Sequence, residues 1–216
     1  MKKQVFIING SGGVGKDSFV KLVGKAMDIW CSLYGEQNRE IIQDWFTPCG
    51  CGVDPYNFVW NYSSVQKVKE IANHYGHWTG GKTEKDRKFL SDLKLLFTDY
   101  CDMPFESMKE VVEEFKKDED SMILFLHIRE PREIERAKRE FDAKTVLVVR
   151  DSVEQIHSNM ADDGVYNYDY NIIINNNGDK SHLYEEARRF VRNFINGVFD
   201  NVISRKRIES SDFLDL

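Results

Sequence analysis

The chain has 216 residues, 41% of them hydrophobic and 12% aromatic, which suits one substantial globular core and excludes a disordered or fibrous class. Its net charge of −6, with acids and bases well mixed, argues against a nucleic-acid partner but leaves room for a small anionic ligand. No apolar run approaches the ~18–20 residues that cross a bilayer, so no membrane partner is expected either.

The start, MKKQVFIING, is basic and then briefly apolar, but a glycine loop stands where a signal-peptide cleavage site would lie. Gln4–Asn9 therefore reads as a buried first strand, and the cytoplasm is the expected compartment. Cys31, Cys49, Cys51 and Cys101 are few, as in a reducing compartment. The spacing of Cys49 and Cys51 is tighter than in zinc modules, and His74 and His77 lie far along the chain. These thiols read as ordinary loop residues.

After the glycines, Phe19, Leu22, Val23, Ala26, Met27 and Trp30 recur at helical spacing from Lys16 to about Trp30. Residues 35–57 carry Gly35, Pro48, Gly50, Gly52 and Pro55 and keep no period. Phe58–Tyr62 suits a second strand, and Ser63 with Gln66 has capping-box spacing ahead of a helix marked by Val65, Val68, Ile71 and Ala72. Further helices are predicted over Lys85–Tyr100, with Phe89, Leu90, Leu93 and Leu96, and over Phe105–Phe115, with Met108, Val111 and Val112.

The second half alternates. Met122–Ile128 is a near-continuous apolar run, as in a strand covered on both faces. Pro131 opens a helix to about Glu140, and Thr145–Val149 is the next strand. Ser152 and Gln155 suit the cap of a following helix. Tyr170–Ile174 is the last strand, and Leu183, Ala187, Phe190, Val191 and Phe194 mark a closing helix. Strands alternating with helices imply a three-layer α/β fold: a mainly parallel, five-stranded sheet with helices on both faces.

The loop itself, Gly10–Ser18, reads GSGGVGKDS and matches G-x-x-x-x-G-K immediately after a strand and opening a helix. In such a loop the backbone of Gly10, Ser11, Gly12, Gly13, Val14 and Gly15 curls round a phosphate. The helix start at Lys16, Asp17 and Ser18 adds partial positive charge, and Lys16 reaches the outer phosphates. The expected cofactors are therefore ATP and Mg²⁺. The residue after the lysine is normally a hydroxyl that meets the metal, and here it is Asp17. Its carboxylate either holds Mg²⁺, directly or through water, or serves as a helix-start acid favoured by the dipole.

Ligands of parallel sheets sit beyond the carboxyl ends of the strands, and two strands here run into arginine, at Arg129 and Arg150. Guanidinium forks suit the charge of a transferring phosphoryl group. The run MILFLHIRE has no aspartate at its end. His127 reads as a core or structural histidine rather than a ligand, and Glu130 is the nearest acid that suits a metal. In the excursion between early strands, Arg87 is the first candidate for an acceptor contact and Lys67 a lesser one.

These residues resemble a family. GSGGVGKDS resembles the GKD-type loop of deoxynucleoside monophosphate kinases and animal-type phosphomevalonate kinases, which carry an acid where other loops carry Ser. SSVQKVKEIA, DRKFLSDLK, FLHIREPREIE and YDYNIIINNNGD are similar to a group of P-loop proteins related to those nucleotide kinases, over about residues 1–195. The resemblance implies a P-loop nucleoside-monophosphate-kinase fold in one domain. ATP would lie at the loop, the acceptor in an excursion of about 63–118, and a short lid over about 150–168. It also implies that Asn175–Asn177 and Gly178 lie near the adenine, with Asn177 as the binding residue. Such lids carry several arginines, whereas this one has Arg150.

The expected activity is transfer of the ATP γ-phosphoryl to a small-molecule acceptor, with Lys16, Arg129 and Arg150 as catalytic residues. The alternatives are a phosphomevalonate- or dephospho-coenzyme A-type kinase, and a nucleotide-binding module or weak NTPase acting as a switch.

Overall fold

Strand β1 (Gln4–Asn9) is buried from Val5 onward because it runs through the middle of a sheet and is covered on both faces. The computed structural model describes residues 2–34, 58–153, 165–201 and 208–209. Along the chain follow α1 (Lys16–Tyr34), β2 (Val59–Ser63), α2 (Gln66–Gly76), α3 (Glu84–Cys101), α4 (Met103–Lys117) and β3 (Ile123–His127). Then come α5 (Pro131–Phe141), β4 (Lys144–Val149), β5 (Ile172–Asn175), α6 (Lys180–Ile195) and the two-residue β6 (Ile208–Glu209).

The strand order is β2-β3-β1-β4-β5-β6. β1 pairs in parallel with β3 and β4, β4 with β5, and β5 with β6. The expected mainly parallel, five-stranded sheet with helices on both faces is present, and Ile208–Glu209 extends it at one edge.

Alternation along β1 divides its side chains between two cores. Phe6 and Ile8 join Phe19, Val23 and Met27 of α1, Phe125 of β3, and Leu183, Ala187, Phe190 and Phe194 of α6. Phe190 is the hub: its ring lies 5.0 Å from Phe6 and from Phe199, 5.5 Å from Phe19 and 5.8 Å from Phe125. On the other face α5 buries Ile134, Ala137 and Phe141, the 3,4-spaced stripe of an amphipathic helix. Leu147, Val165 and Tyr170 form a smaller cluster, flanked by Tyr168. The Tyr168 hydroxyl donates to Glu135 of α5, and the Lys138 ammonium stands 6.0 Å from the centre of the Tyr168 ring.

The chain divides into two compact units, Met1–Asn61 with Glu119–Leu216, and Tyr62–Asp118. The second holds α2, α3 and α4, with Val68, Ala72, Phe105, Met108, Val112 and Phe115 buried. Two expectations are corrected there. Ser63 stays in β2, so no capping box forms with Gln66: α2 starts after Val65 without a side-chain cap, and the Gln66 amide donates to Glu70. The apolar stripe of α3 is largely uncovered, with Phe89 and Leu96 39% and 63% exposed, and the buried residue of that helix is Lys94. Helical spacing fixes the helix but does not supply a neighbour for each face. The box that does form is at Thr83 and Asp86: the Thr83 hydroxyl accepts from the Asp86 N–H, and the Asp86 carboxylate accepts from the Thr83 N–H.

No described helix is long and apolar enough to cross a membrane. Residues 35–57, with Cys49 and Cys51 expected in a loop, the helix expected after Ser152, and the interior of the expected lid at 154–164 lie outside the described residues.

Candidate phosphate-binding site

Register brings the strand ends to one edge. Ile8 pairs with His127, Asn9 with Leu147 and Val149 with Asn175, so β1 and β3 end within one residue of each other and β4 and β5 run two residues further along the same edge. The glycine loop Gly10–Gly15 leaves from the middle of that edge, between the exits of β3 and β4 that carry Arg129 and Arg150.

Two glycines are required by space as well as backbone. Gly10 has φ +144°, and a Cβ there would lie 2.5 Å from the Val148 carbonyl oxygen; Gly15 has φ +99°, and its Cβ would lie 2.5 Å from the Asn176 amide nitrogen. The Phe19 N–H donates to the Gly15 carbonyl at 2.8 Å, so the helix ladder begins directly at the last glycine. This is the strand, tight turn and helix start that the motif needs. The Lys16 ammonium turns back over the loop and donates to the carbonyls of Gly10 at 2.6 Å and Ser11 at 2.9 Å. Beside it the Ser11 hydroxyl is buried with no hydrogen-bond partner among the described residues. A turned-in ammonium, a buried hydroxyl and a helix N-terminus form a donor set that fits a polyphosphate.

Asparagines hold the loop in place. The Asn9 amide donates to the Tyr170 hydroxyl at 2.8 Å and to the Arg129 carbonyl at 3.3 Å, and its oxygen accepts the Gly10 N–H at 2.8 Å. One side chain thus ties the loop's first residue to the β3 exit and the segment before β5. Burial pushes the Tyr170 hydroxyl well above its ordinary pKa, so it stays protonated, able to accept from Asn9. At the far end, the buried Asn176 amide donates to the Val14 carbonyl at 2.7 Å. Asn177 clasps Asp151, accepting its N–H and donating to its carboxylate, both at 2.7 Å. Its amide is therefore engaged in holding the β4 exit to the β5 exit.

No protein-family model matches the chain, and no curated protein matches it significantly. Among solved structures it is similar to shikimate kinase from Aquifex aeolicus, at 10% identity and a TM-score of 0.37, with 91% of this chain and 98% of that chain covered. It is also similar to thymidylate kinase from Ehrlichia chaffeensis, at 11% identity and a TM-score of 0.29, with 100% and 92% covered.

Asp17 stands in the first turn of α1 with its side chain 85% exposed. Its Oδ1 lies 4.0 Å from Nδ1 of His127, the last residue of β3. An exposed carboxylate at a helix start is a hard oxygen donor, so this position fits a divalent cation. Glu130, three residues on, leads into α5. The Arg150 Nε donates to the Ser152 hydroxyl at 3.1 Å, and Val153 of the same turn lies beside Gly13. Arg87 and Lys67 belong to the Tyr62–Asp118 unit and are exposed; Lys67 pairs with Glu70 at 3.2 Å, which holds its ammonium above the ordinary lysine range. Sequence alone assigns no role to Asn9 or Tyr170, and places Asn176 only near the adenine, with Asn175 and Asn177. The one signal available for Asn176 was its place within the triplet that closes β5.

Proposed function

We propose that the chain is an ATP-dependent P-loop phosphotransferase, of nucleoside-monophosphate-kinase type, acting on a small-molecule phosphate acceptor. The observation that carries this reading is the Lys16 ammonium seated within a glycine loop that joins a buried central strand to a helix N-terminus. Loop N–H groups and the helix start take the charge of the β- and γ-phosphates. Lys16 exchanges two carbonyl contacts for phosphate oxygens, which form stronger, charge-assisted bonds.

The acceptor oxygen attacks the γ-phosphorus, the bond to the bridging oxygen breaks, and its electron pair leaves with ADP. Arg129 and Arg150, just past the ends of the strands flanking β1, are the cations assigned to the charge of the transferring group. An acceptor phosphate brings an ionised oxygen, so no general base is assigned. Mg²⁺, when bound, would neutralise the β- and γ-oxygens, with Asp17 and then Glu130 as the carboxylates assigned to it. Arg87 and Lys67 are the acceptor contacts assigned to the Tyr62–Asp118 unit.

A thermal-shift screen of nucleoside mono-, di- and triphosphates with Mg²⁺, followed by an ADP-release assay, tests this. A ligand at 100 times its Kd raises stability by about 2.7 kcal/mol, which is readily seen. Shifts with ATP and with one acceptor class, and ADP release that waits for that acceptor, are the expected results. No shift with any nucleotide overturns the reading, and steady release without an acceptor replaces it with an NTPase switch.

A further inference from the structure

Strand β3 ends at His127, in register with Ile8 and so two residues from the glycine loop. The imidazole is held from behind. Its Nε2 lies 2.7 Å from the side-chain oxygen Oδ1 of Asn61, in β2. An amide oxygen only accepts, so in the neutral ring Nε2 carries the hydrogen and the lone pair belongs to Nδ1. It is Nδ1 that lies 4.0 Å from Oδ1 of Asp17. A ring nitrogen tethered to an outer oxygen, which fixes the tautomer and turns the other nitrogen outward, is the arrangement found around metal-ligating histidines, and here a carboxylate stands before that outward nitrogen. One ion about 2.1 Å from each donor reaches atoms up to about 4.2 Å apart. The His127 side chain is 15% exposed and therefore fixed, whereas Asp17 is 85% exposed and can turn toward it.

We propose that His127 Nδ1 and Asp17 together form a mixed nitrogen–oxygen site for the divalent cation, with Asn61 as the positioning residue behind the imidazole. This rests on the loop holding a nucleotide, and goes beyond it by adding a ligand where the strand lacks a carboxylate. An imidazole donor shifts selectivity away from the all-oxygen preference of Mg²⁺ and toward transition ions such as Mn²⁺ and Co²⁺.

The test uses the full chain with ¹⁵N-labelled histidine, Mn²⁺ and ADP, read by pulsed EPR and by isothermal titration. Wild type should show ¹⁵N coupling to Mn²⁺. In His127→Gln the coupling should vanish and Mn²⁺ affinity fall by at least about 10-fold, with metal-free ADP affinity unchanged. Asn61→Leu, which leaves the imidazole in place, should lower Mn²⁺ affinity by about 10–100-fold, the usual effect of losing an outer partner. A Mn²⁺–ADP complex without ¹⁵N coupling overturns the site and makes the Asp17–His127 approach a simple ion pair, while the nucleotide reading stands. Coupling that survives in His127→Gln also overturns it, by assigning the ligand to another histidine. If ADP itself does not bind, the nucleotide reading has failed and this site falls with it.

Discussion

Lys16 and Asp17 are adjacent in the first turn of α1 but are proposed for different tasks, and two substitutions separate them. The Lys16 ammonium donates to loop carbonyls, at 2.6 and 2.9 Å, net contributions small enough that Lys16→Ala should cost the fold about 1 kcal/mol. Loss of a preorganised donor to the transferring group should lower kcat by about 10²–10³-fold. A melt and a steady-state assay on the same preparation check both, and undiminished turnover would remove the phosphate loop. Asp17→Asn keeps shape and one oxygen but loses the charge. It should raise the Mg²⁺ concentration for half-maximal activity, while nucleotide binding without metal is unchanged or tighter, because a carboxylate repels the polyphosphate when no cation lies between them. A Mg²⁺ titration of activity, set beside calorimetry in chelator, reads the two effects.

At the scale of elements, the loop depends on β5 as much as on its own glycines. Asn176→Ala removes the donor to Val14 and leaves that buried carbonyl unmatched, at a cost of about 1–3 kcal/mol. Part of it should appear as weaker ATP binding, since the far end of the loop is then held by the chain alone. Calorimetry showing parent-like ATP affinity would mean that the glycines fix the loop by themselves. Helix α3 gives a pH prediction. The Thr83 hydroxyl, and then its backbone N–H, hold the Asp86 carboxyl below the usual carboxylate range. A lowered folded pKa stabilises the cap above the unfolded value, so the contribution is present at neutral pH and is lost as pH falls through the folded value. Amide exchange in the first turn of α3 should therefore accelerate in acid, and in Thr83→Val it should already be fast at neutral pH.

For the whole molecule the determining contacts are aromatic. Phe190 of α6 touches rings from β1, α1, β3 and the short turn at Val198–Asn201, four separate parts of the chain. Phe190→Ala should destabilise the Met1–Asn61 and Glu119–Leu216 unit by about 3–5 kcal/mol, as large-to-small changes at buried rings do. Urea unfolding followed by near-ultraviolet circular dichroism measures it. A loss under 1 kcal/mol would show that neighbouring rings collapse into the space.

The sequence by itself determined the repeating elements and the glycine loop, because both are local signals. Period-2 and period-3.6 spacing reports which backbone forms, and Gly10, Gly15 and Lys16 lie within one turn of chain. It also determined the buried faces of α1 and α6, whose partners are the sheet in any α/β packing. Only the tertiary structure decided what holds the loop and what stands beside Asp17. Asn176 meets Val14 across 162 residues and Asn9 meets Tyr170 across 161, separations that leave no spacing pattern to read. His127 is one more residue of an apolar run until β2 sets Asn61 behind it and α1 sets Asp17 before it. The uncovered stripe of α3 has the same cause: an amphipathic period states which side chains share a face, and only packing decides what, if anything, meets them.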